Sequence, residues 1–255
     1  MRFAVCVKHA IDETELRIDS SGKPQLDGAA GKMSTFDKNA VEEALRLRSA
    51  KSGEVVAFTV GGPDARKTLK EALAMGADKG VIVSADLLAT DTLRTAELLA
   101  AAITTTGPYD VVMCSEGSSD TYDGQVPPML GELLGLPYVG YARKIEVDGR
   151  SAKVERSLED TLELVETSLP FVTSVVSEIN EPRYPTLIQI MQSSKKKVEE
   201  LNGEQLVQLG TRKQSSLVSM AAQSSARKHV MIEGSPDQSA AKLVEALMKE
   251  GVLPK

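Results

Sequence analysis

The sequence contains few of the residues that metal and thiol chemistry need. Its 255 residues include two cysteines and two histidines, without a Cys-x-x-Cys motif or a histidine cluster. We therefore expect no zinc or iron–sulfur site held by this chain alone. Cys6 and Cys114 each lie in an apolar, β-branched run, where a thiol usually packs as a small buried hydrophobe.

Tryptophan is absent and aromatic residues make up 4% of the chain, which disfavours a stacking platform for single-stranded nucleic acid. The 36 acidic residues outnumber the 30 basic ones, and the net charge of −6 argues against binding to a phosphate backbone. No apolar run approaches the roughly 18 residues of a membrane span, and the start MRFAVCVKHA has no signal-peptide pattern. We expect a cytoplasmic protein that binds neither nucleic acid nor membrane.

Over the first two-thirds of the chain, apolar runs alternate with amphipathic segments. Buried strands are predicted at 2–8, 54–60, 80–84 and 109–114. Helices are predicted at 37–49, 64–75, 92–105 and 127–134. Ser34 or Thr35 is expected to cap the first helix, and Thr90 or Asp91 the third. The alternation predicts an α/β fold with a Rossmann-like, doubly wound and mainly parallel sheet.

From about residue 137 the pattern changes to short strands. They are predicted at 138–147, 151–157, 161–167 and 171–177, with Asp148-Gly149 as a hairpin turn. The polar, Ser/Gln-rich chain from residue 198 is predicted to be a linker, followed by a helix at about 236–250. That helix either docks on a partner or folds back on its own domain.

Polar loops follow three of the predicted strands, where an open parallel sheet binds its ligands. These loops lie at 61–63, 90–92 and 115–126. The last leads into a helix start, whose free N–H groups favour phosphate. It lacks the Walker A lysine, the G-x-G-x-x-G spacing and the residue spacing of a calcium loop. Phosphate binding by the backbone and an ordinary capping loop both fit this composition.

Two prolines within four residues interrupt the start of segment 180–197, so its apolar residues are expected on a loop or short helix. These residues are Leu187, Ile188, Ile190 and Met191. They form either a protein–protein contact rimmed by the lysines at 195–197, or part of the core, with Leu187 and Ile190 turned inward.

Five segments, in order, carry a more specific pattern. They read AVCVKHAID, FDKNAVEEALRL, GGPDARKTLKEALAMGADKGVIV, DGQVPPMLGELLGLP and LPFVTSVVSEINEPRYPTLIQIMQSSKKK. Together they resemble the β subunit of the electron-transfer flavoprotein family over about residues 1–200. The resemblance implies an adenine nucleotide α-hydrolase-like fold and an electron carrier rather than an enzyme.

The resemblance also implies partners and cofactors. This chain would pair with an electron-transfer flavoprotein α subunit that carries FAD, and would itself bind FAD or AMP. The pair would pass electrons between acyl-CoA or other dehydrogenases and a quinone-linked or ferredoxin-linked acceptor, in one branch by flavin-based bifurcation. Residues 1–197 would form the nucleotide-binding domain, ending in a partner-recognition loop at 175–197, and residues 198–255 an arm and helix that dock on the α subunit.

The resemblance assigns residues position by position. The cofactor-binding residues are Cys6, Ser34, Thr35, Phe36, Asp37, Gly61, Thr90, Asp91, Thr92, Ser115, Gly117, Ser118, Ser119, Asp120, Asp123, Gly124, Gln125 and Val126. The partner-docking residues are Tyr184, Leu187, Ile188, Met191 and Lys195. No catalytic residue and no metal ligand is implied.

Two branches of the family are compatible with these residues. Gln125-Val126 and the helix start at 90–92 are similar to the bifurcating branch, which favours FAD over AMP here. Pro127 and Asp160-Thr161 each stand where the family has glycine, so neither branch matches fully. The alternative that we keep is a stand-alone ATP-binding regulator of the universal-stress type; an adenylating enzyme would need a motif that this chain lacks.

Overall fold

In a computed structural model the chain divides into two compact units, Met1–Met220 and Ala221–Lys255. The structure describes residues 1–26, 28–86, 90–207, 215, 218–222 and 229–253. Most of the Ser/Gln-rich stretch 214–228, predicted as linker, lies outside the described residues.

Strands and helices are numbered in chain order within those residues. The strands are β1 Arg2–Cys6, β2 His9–Ile11, β3 Arg17–Ile18, β4 Pro24–Gln25, β5 Gly31–Met33, β6 Glu54–Gly61, β7 Lys79–Ser84, β8 Val111–Ser115, β9 Tyr138–Asp148, β10 Ser151–Ser157, β11 Leu162–Ser168, β12 Phe171–Val175 and β13 Val198–Asn202. The helices are α1 Thr35–Lys51, α2 Ala65–Met75, α3 Thr92–Thr106, α4 Val126–Leu134, α5 Leu187–Ser193, α6 Gly203–Leu206 and α7 Pro236–Lys249.

The first unit is built on one large sheet with β1 near its centre. Within the described residues, the strand order is β11-β10-β9-β12-β8-β1-β6-β7-β13. Every neighbouring pair from β9 to β13 is parallel, whereas β10 and β11 extend the sheet antiparallel. The predicted Rossmann-like, doubly wound and mainly parallel fold is confirmed, as is the hairpin turn, where Asp148 pairs with Ser151.

The apolar strands are buried on both faces, as their nearly continuous hydrophobic runs predict. Phe3 and Val5 pack with the cores of α1 and α2 on one face. Ala4 and Cys6 point to the other face and pack with α3 and α4. Each large side chain buried in this way stabilises the fold by about 1.5–3 kcal/mol.

The segment 198–202 differs from its prediction as linker. It forms β13, which pairs with β7 in parallel register, with Val198 opposite Gly80. Val198 and Leu201 pack against the two faces of the core, while the other positions of this edge strand are polar. An edge strand needs few apolar residues, so its composition resembles that of a linker. The sheet therefore continues beyond residue 197.

The predicted helices are present with shifted ends. α1 begins at Thr35 and includes two residues before the predicted start. The third helix is capped by Asp91, whose side chain accepts a hydrogen bond from Arg94 N at 2.8 Å. The last predicted strand ends at Val175, and a 3₁₀ turn follows at Ser177–Ile179.

The second unit contains α7. A capping box formed by Ser235 and Gln238 begins this helix, which matches the helix predicted at about 236–250. Leu243 and Val244 on α7 are half exposed.

Candidate functional site

The carboxyl ends of β1, β6 and β8 form one edge of the sheet because these strands are neighbours and parallel. Cys6 pairs with Phe58 of β6, and Val5 pairs with Met113 of β8. The loop 115–126 leaves this edge after β8. We call Lys8 together with 34–37 and 115–126 the carboxyl-edge cluster, since hydrogen bonds join all three parts.

Asp37 holds the carboxyl-edge cluster together from inside. It is 4% exposed, and one carboxylate oxygen accepts a hydrogen bond from Lys8 N at 2.6 Å. The other accepts from the Ser115 hydroxyl. Burial raises the pKa of Asp37 to about 7, although the hydrogen bonds from Lys8 and Ser115 act against this rise. Both carboxylate oxygens of Asp37 are thus bonded to the protein, so Asp37 holds the end of β1 and the start of the 115–126 loop in place.

Lys8 connects the end of β1 to the loop. Its ammonium lies 2.7 Å from Asp120 Oδ1, 3.2 Å from Ser118 Oγ and 3.2 Å from Thr121 Oγ1. Burial would raise the pKa of Asp120, but hydrogen bonds from Lys8 and Ser118 outweigh it and hold that pKa below its usual value. The loop is therefore closed onto β1 by a charged group.

Ser34 and Ser119 make a second connection. Ser34 stands at the N-cap of α1 without a side-chain cap bond; its hydroxyl instead accepts a hydrogen bond from Ser119 N at 3.2 Å. The Ser119 hydroxyl is buried and has no hydrogen-bond partner among the described residues. A buried hydroxyl without a partner is costly, so this oxygen is an unsatisfied polar atom in the loop.

Tyr122 forms the rim of the loop. Its φ of 52° lies in the left-handed region, which is uncommon for a bulky residue and recurs at functional sites. The ring crosses Gly117, where a Cβ would approach it to 2.7 Å, and it meets Phe36 edge-on at 5.5 Å between ring centroids. An exposed aromatic surface thus borders the carboxyl-edge cluster.

The start of α4 offers fewer donors than an ordinary helix. Pro127 and Pro128 occupy its first turn and carry no N–H. The amides of Gly124, Gln125 and Val126 have no acceptor among the described residues. These three amides are the backbone donors that this helix start presents to an anion.

The start of α3 lies at the same edge of the sheet, since α3 follows β7 and packs beside α4. Asp91 caps α3 and also accepts a hydrogen bond from Ser215 N at 3.1 Å. The Thr90 hydroxyl donates to Asp86 O at 2.6 Å. Only the Asp91 side chain thus caps the helix, of which Thr92 is the first residue; the Thr90 side chain bonds to the backbone before it. The N-termini of α3 and α4 and the carboxyl end of β1, at Cys6, therefore lie at the same edge of the sheet.

The segment 180–197 stands on α1 and α2. The Asn39 side chain donates to Ser177 O and Asn180 O, both at 2.9 Å, and the Arg183 side chain donates twice to the Glu42 carboxylate at 2.7 and 2.8 Å. A capping box between Thr186 and Gln189 begins α5, which packs on α2.

The apolar side chains of this segment point away from the core. Tyr184 is 92% exposed, Leu187 79% and Ile190 50%, with Ile188 and Met191 also exposed. The alternative in which Leu187 and Ile190 turn inward is therefore wrong. Lys195 is exposed too.

Lys196 does not belong to a solvated basic face. Its ammonium donates to Leu73 O at 2.9 Å and Ala77 O at 2.7 Å, so it satisfies carbonyls at the end of α2. Lys197 lies 3.6 Å from Glu199. Of the three lysines at 195–197, Lys195 is therefore the exposed cation without an ion pair among the described residues.

The residue-by-residue assignment left out Lys8, Thr121 and Tyr122, although the last two lie in the predicted loop 115–126. Lys8 directly follows a buried strand at its carboxyl end, and this position was the available signal. Nothing in the local pattern indicated that the Tyr122 ring would cover Gly117. Within the described part of the chain, no group of three or more His, Cys, Asp or Glu residues is placed to hold a metal. No helix there has the length and apolar character needed to cross a membrane.

A doubly wound parallel sheet with polar loops at its carboxyl edge defines a Rossmann-like α/β protein. The family described as electron transfer flavoprotein domain matches residues 26–206. An electron transfer flavoprotein subunit beta from Thermoanaerobacterium thermosaccharolyticum is 37% identical over 209 residues, covering 81% of this chain and 80% of the relative. The chain belongs to the electron-transfer flavoprotein β-subunit family, whose members carry electrons rather than act as enzymes and pair with an α subunit.

Two further relatives are named as parts of larger complexes. The caffeyl-CoA reductase-Etf complex subunit CarD of Acetobacterium woodii is 33% identical over 209 residues, covering 81% of this chain and 80% of the relative. The acryloyl-CoA reductase electron transfer subunit gamma of Anaerotignum propionicum is 31% identical over 267 residues, covering 99% of this chain and all of the relative. The universal-stress alternative receives no support from these relatives.

Proposed function

We propose that this chain binds the phosphate groups of an adenine nucleotide at the carboxyl-edge cluster, as the β subunit of an electron-carrying heterodimer. The observation that carries the proposal is the buried Ser119 hydroxyl without a partner. It lies in the same loop as the free amides of Gly124, Gln125 and Val126. Donors of this kind, at a helix start, fit phosphate.

We favour FAD over AMP in this site. The starts of α3 and α4 lie at one edge, and two helix N-termini suit a diphosphate better than one. Val126 carries no hydroxyl for a terminal phosphate. When bound, FAD supplies one- and two-electron chemistry, and this chain's residues would hold and orient it. The two relatives named with CoA reductases make a role in a bifurcating complex part of the proposal.

We assign two protein contacts. The exposed side chains of Tyr184, Leu187, Ile188, Met191 and Lys195 would receive acyl-CoA or other dehydrogenases, because an apolar patch on a fixed base is typical of docking surfaces. The C-terminal arm with α7 would contact the α subunit through the face containing Leu243 and Val244. The α subunit would hold a further FAD, and electrons would pass to a quinone-linked or ferredoxin-linked acceptor.

The nucleotide content of the purified heterodimer tests the proposal. The complex is denatured, and released FAD and AMP are counted per αβ pair. We expect two FAD and no AMP. One FAD with one AMP would overturn the preference for FAD but keep the nucleotide site, whereas one FAD alone would overturn nucleotide binding by this chain.

A further inference from the structure

We propose that Lys8 is a phosphate-binding residue of the nucleotide site, and that Asp120 occupies its ammonium group until the nucleotide displaces it. The inference rests on the proposed function and adds a charged ligand to a site otherwise formed by amides and hydroxyls. It also assigns to Asp120 the role of a competing anion.

The contacts of Lys8 leave its ammonium group fully used in this structure. An ammonium has three donors, and Lys8 contacts three loop oxygens, those of Ser118, Asp120 and Thr121. All three acceptors belong to the loop that also presents the free amides. A phosphate bound by this loop would take the place of Asp120, and exchange of one carboxylate oxygen for one phosphate oxygen would keep the three donors of Lys8 satisfied.

Lys8 offsets the negative charge of the 115–126 loop, which would otherwise repel a phosphate. Among the described residues, Lys8 is the cation that forms hydrogen bonds and an ion pair with the 115–126 loop. The same loop carries Glu116, Asp120 and Asp123, which oppose an incoming anion. The lysine side chain is 45% exposed while that of Asp120 is 12% exposed, so solvent and ligand reach the cation more readily than its partner.

Because Lys8 and Asp120 have opposite roles, their substitutions have opposite effects. Lys8→Gln removes the phosphate ligand and weakens nucleotide binding. Asp120→Asn removes the competing charge but retains an oxygen at the position that accepts a hydrogen bond from Thr121 N at 2.8 Å, and it gives up only the longer bond from Ile11 N at 3.3 Å, so it strengthens binding. If the pair were only structural, both changes would loosen the loop and weaken binding together.

The experiment measures dissociation constants for AMP and for FAD with the αβ complex, after its β-site nucleotide is removed by dialysis, by isothermal titration calorimetry. We expect Lys8→Gln to weaken binding roughly tenfold or more, and Asp120→Asn to strengthen it severalfold. Lys38→Gln is the matched control, since Lys38 forms a 2.7 Å ion pair with Glu71 away from the loop, and it should leave the constant unchanged. Thermal unfolding of each complex checks that it is folded.

The outcomes separate the two proposals. If the unmodified complex binds AMP or FAD but Lys8→Gln binds equally well, the role of Lys8 is overturned and the nucleotide site stands. If both variants bind more weakly, the exchange with Asp120 is overturned. If the unmodified complex binds neither nucleotide, the proposed site fails and the role of Lys8 fails with it.

Discussion

The carboxyl-edge cluster and the segment 180–197 are both anchored by α1, but the first is a polar surface and the second an apolar one. Asp37 of α1 binds Lys8 N and the Ser115 hydroxyl under the first region. Asn39 and Glu42, within the next two turns of α1, bind Asn180 and Arg183 of the second region. The first region is made of polar groups bonded to one another at the carboxyl edge of the sheet, whereas the second turns apolar side chains to solvent.

Under the proposed function, one rigid element, α1, would support two kinds of recognition. A small anion needs few donors held at fixed positions, so the first region places its polar groups around a buried carboxyl. A protein partner needs exposed apolar area, so the second region fixes only its base and leaves its side chains free. Substitutions in α1 should therefore separate the two regions according to the residue changed.

The largest effect is expected from Asp37→Ala. The change removes two hydrogen bonds and leaves the Lys8 amide without its partner and the Ser115 hydroxyl with Gly117 O alone, which costs about 2–4 kcal/mol of the free energy of unfolding. Chemical denaturation of the heterodimer at pH 7.5 measures this loss. Lys38→Ala, next to it on α1 but in a surface ion pair, should cost less than about 1 kcal/mol. Equal losses would show that Asp37 does not anchor the edge.

Asp37 should also make stability depend on pH. Its pKa is about 7 in the folded chain against 3.8 ordinarily, so the folded state binds the extra proton between these values. This contribution is fully present below about pH 4 and is lost as the pH rises to about 7. The pH-dependent slope of unfolding free energy over that range should flatten in Asp37→Asn. An unchanged slope would assign the proton uptake elsewhere.

Leu187→Ala tests the second region. Truncating a leucine that is 79% exposed should leave the fold intact, but loss of a docking anchor should slow electron transfer from a dehydrogenase roughly tenfold. Stopped-flow reduction of the heterodimer by its dehydrogenase measures the rate, and flavin content is measured in parallel. The control is Leu164→Ala on β11, which removes a leucine of similar exposure, 66%. Equal slowing by both variants would contradict a specific anchor.

The two regions also differed in how far sequence predicted them. The strand ends at Cys6, Gly61 and Ser115 were predictable because buried parallel strands have continuous apolar runs. The exposure of Leu187 was left open because composition cannot say which way a Pro-interrupted segment turns. The Lys8–Asp120 pair joins residues 112 positions apart, and it depends on the pairing of β1 with β8, which no local pattern encodes.

Val198–Asn202 shows the same limitation for the fold. Its polar composition indicated a linker, but two apolar residues were enough for an edge strand because β7 has a backbone edge with which it can pair. The position of Lys196 has a related cause. It was interpreted as surface charge because its acceptors, Leu73 O and Ala77 O, are backbone carbonyls, which side-chain patterns do not reveal.

Asn39→Ala is expected to affect the second region moderately and the first hardly at all. Asn39 is 6% exposed and holds the carbonyls of Ser177 and Asn180. Its loss frees the base of the segment, which should slow dehydrogenase reduction about threefold and lower the free energy of unfolding by about 1–2 kcal/mol. AMP and FAD affinities should stay as in the unmodified complex. A parallel loss of nucleotide affinity would show that the two regions are coupled through α1.

Pro127→Ala should produce the smallest effect, and only in the first region. The substitution returns one N–H to the first turn of α4, next to the free amides of Gln125 and Val126. One more neutral donor near a phosphate should tighten nucleotide binding about two- to fivefold, since a single neutral hydrogen bond at a solvent-exposed helix start contributes about 0.5–1 kcal/mol net. Calorimetry with AMP and FAD measures the change, and the rate of reduction by the dehydrogenase should not move. Unaltered nucleotide affinity in a folded complex would mean that the phosphate does not lie at the start of α4, and would shift the site toward the start of α3.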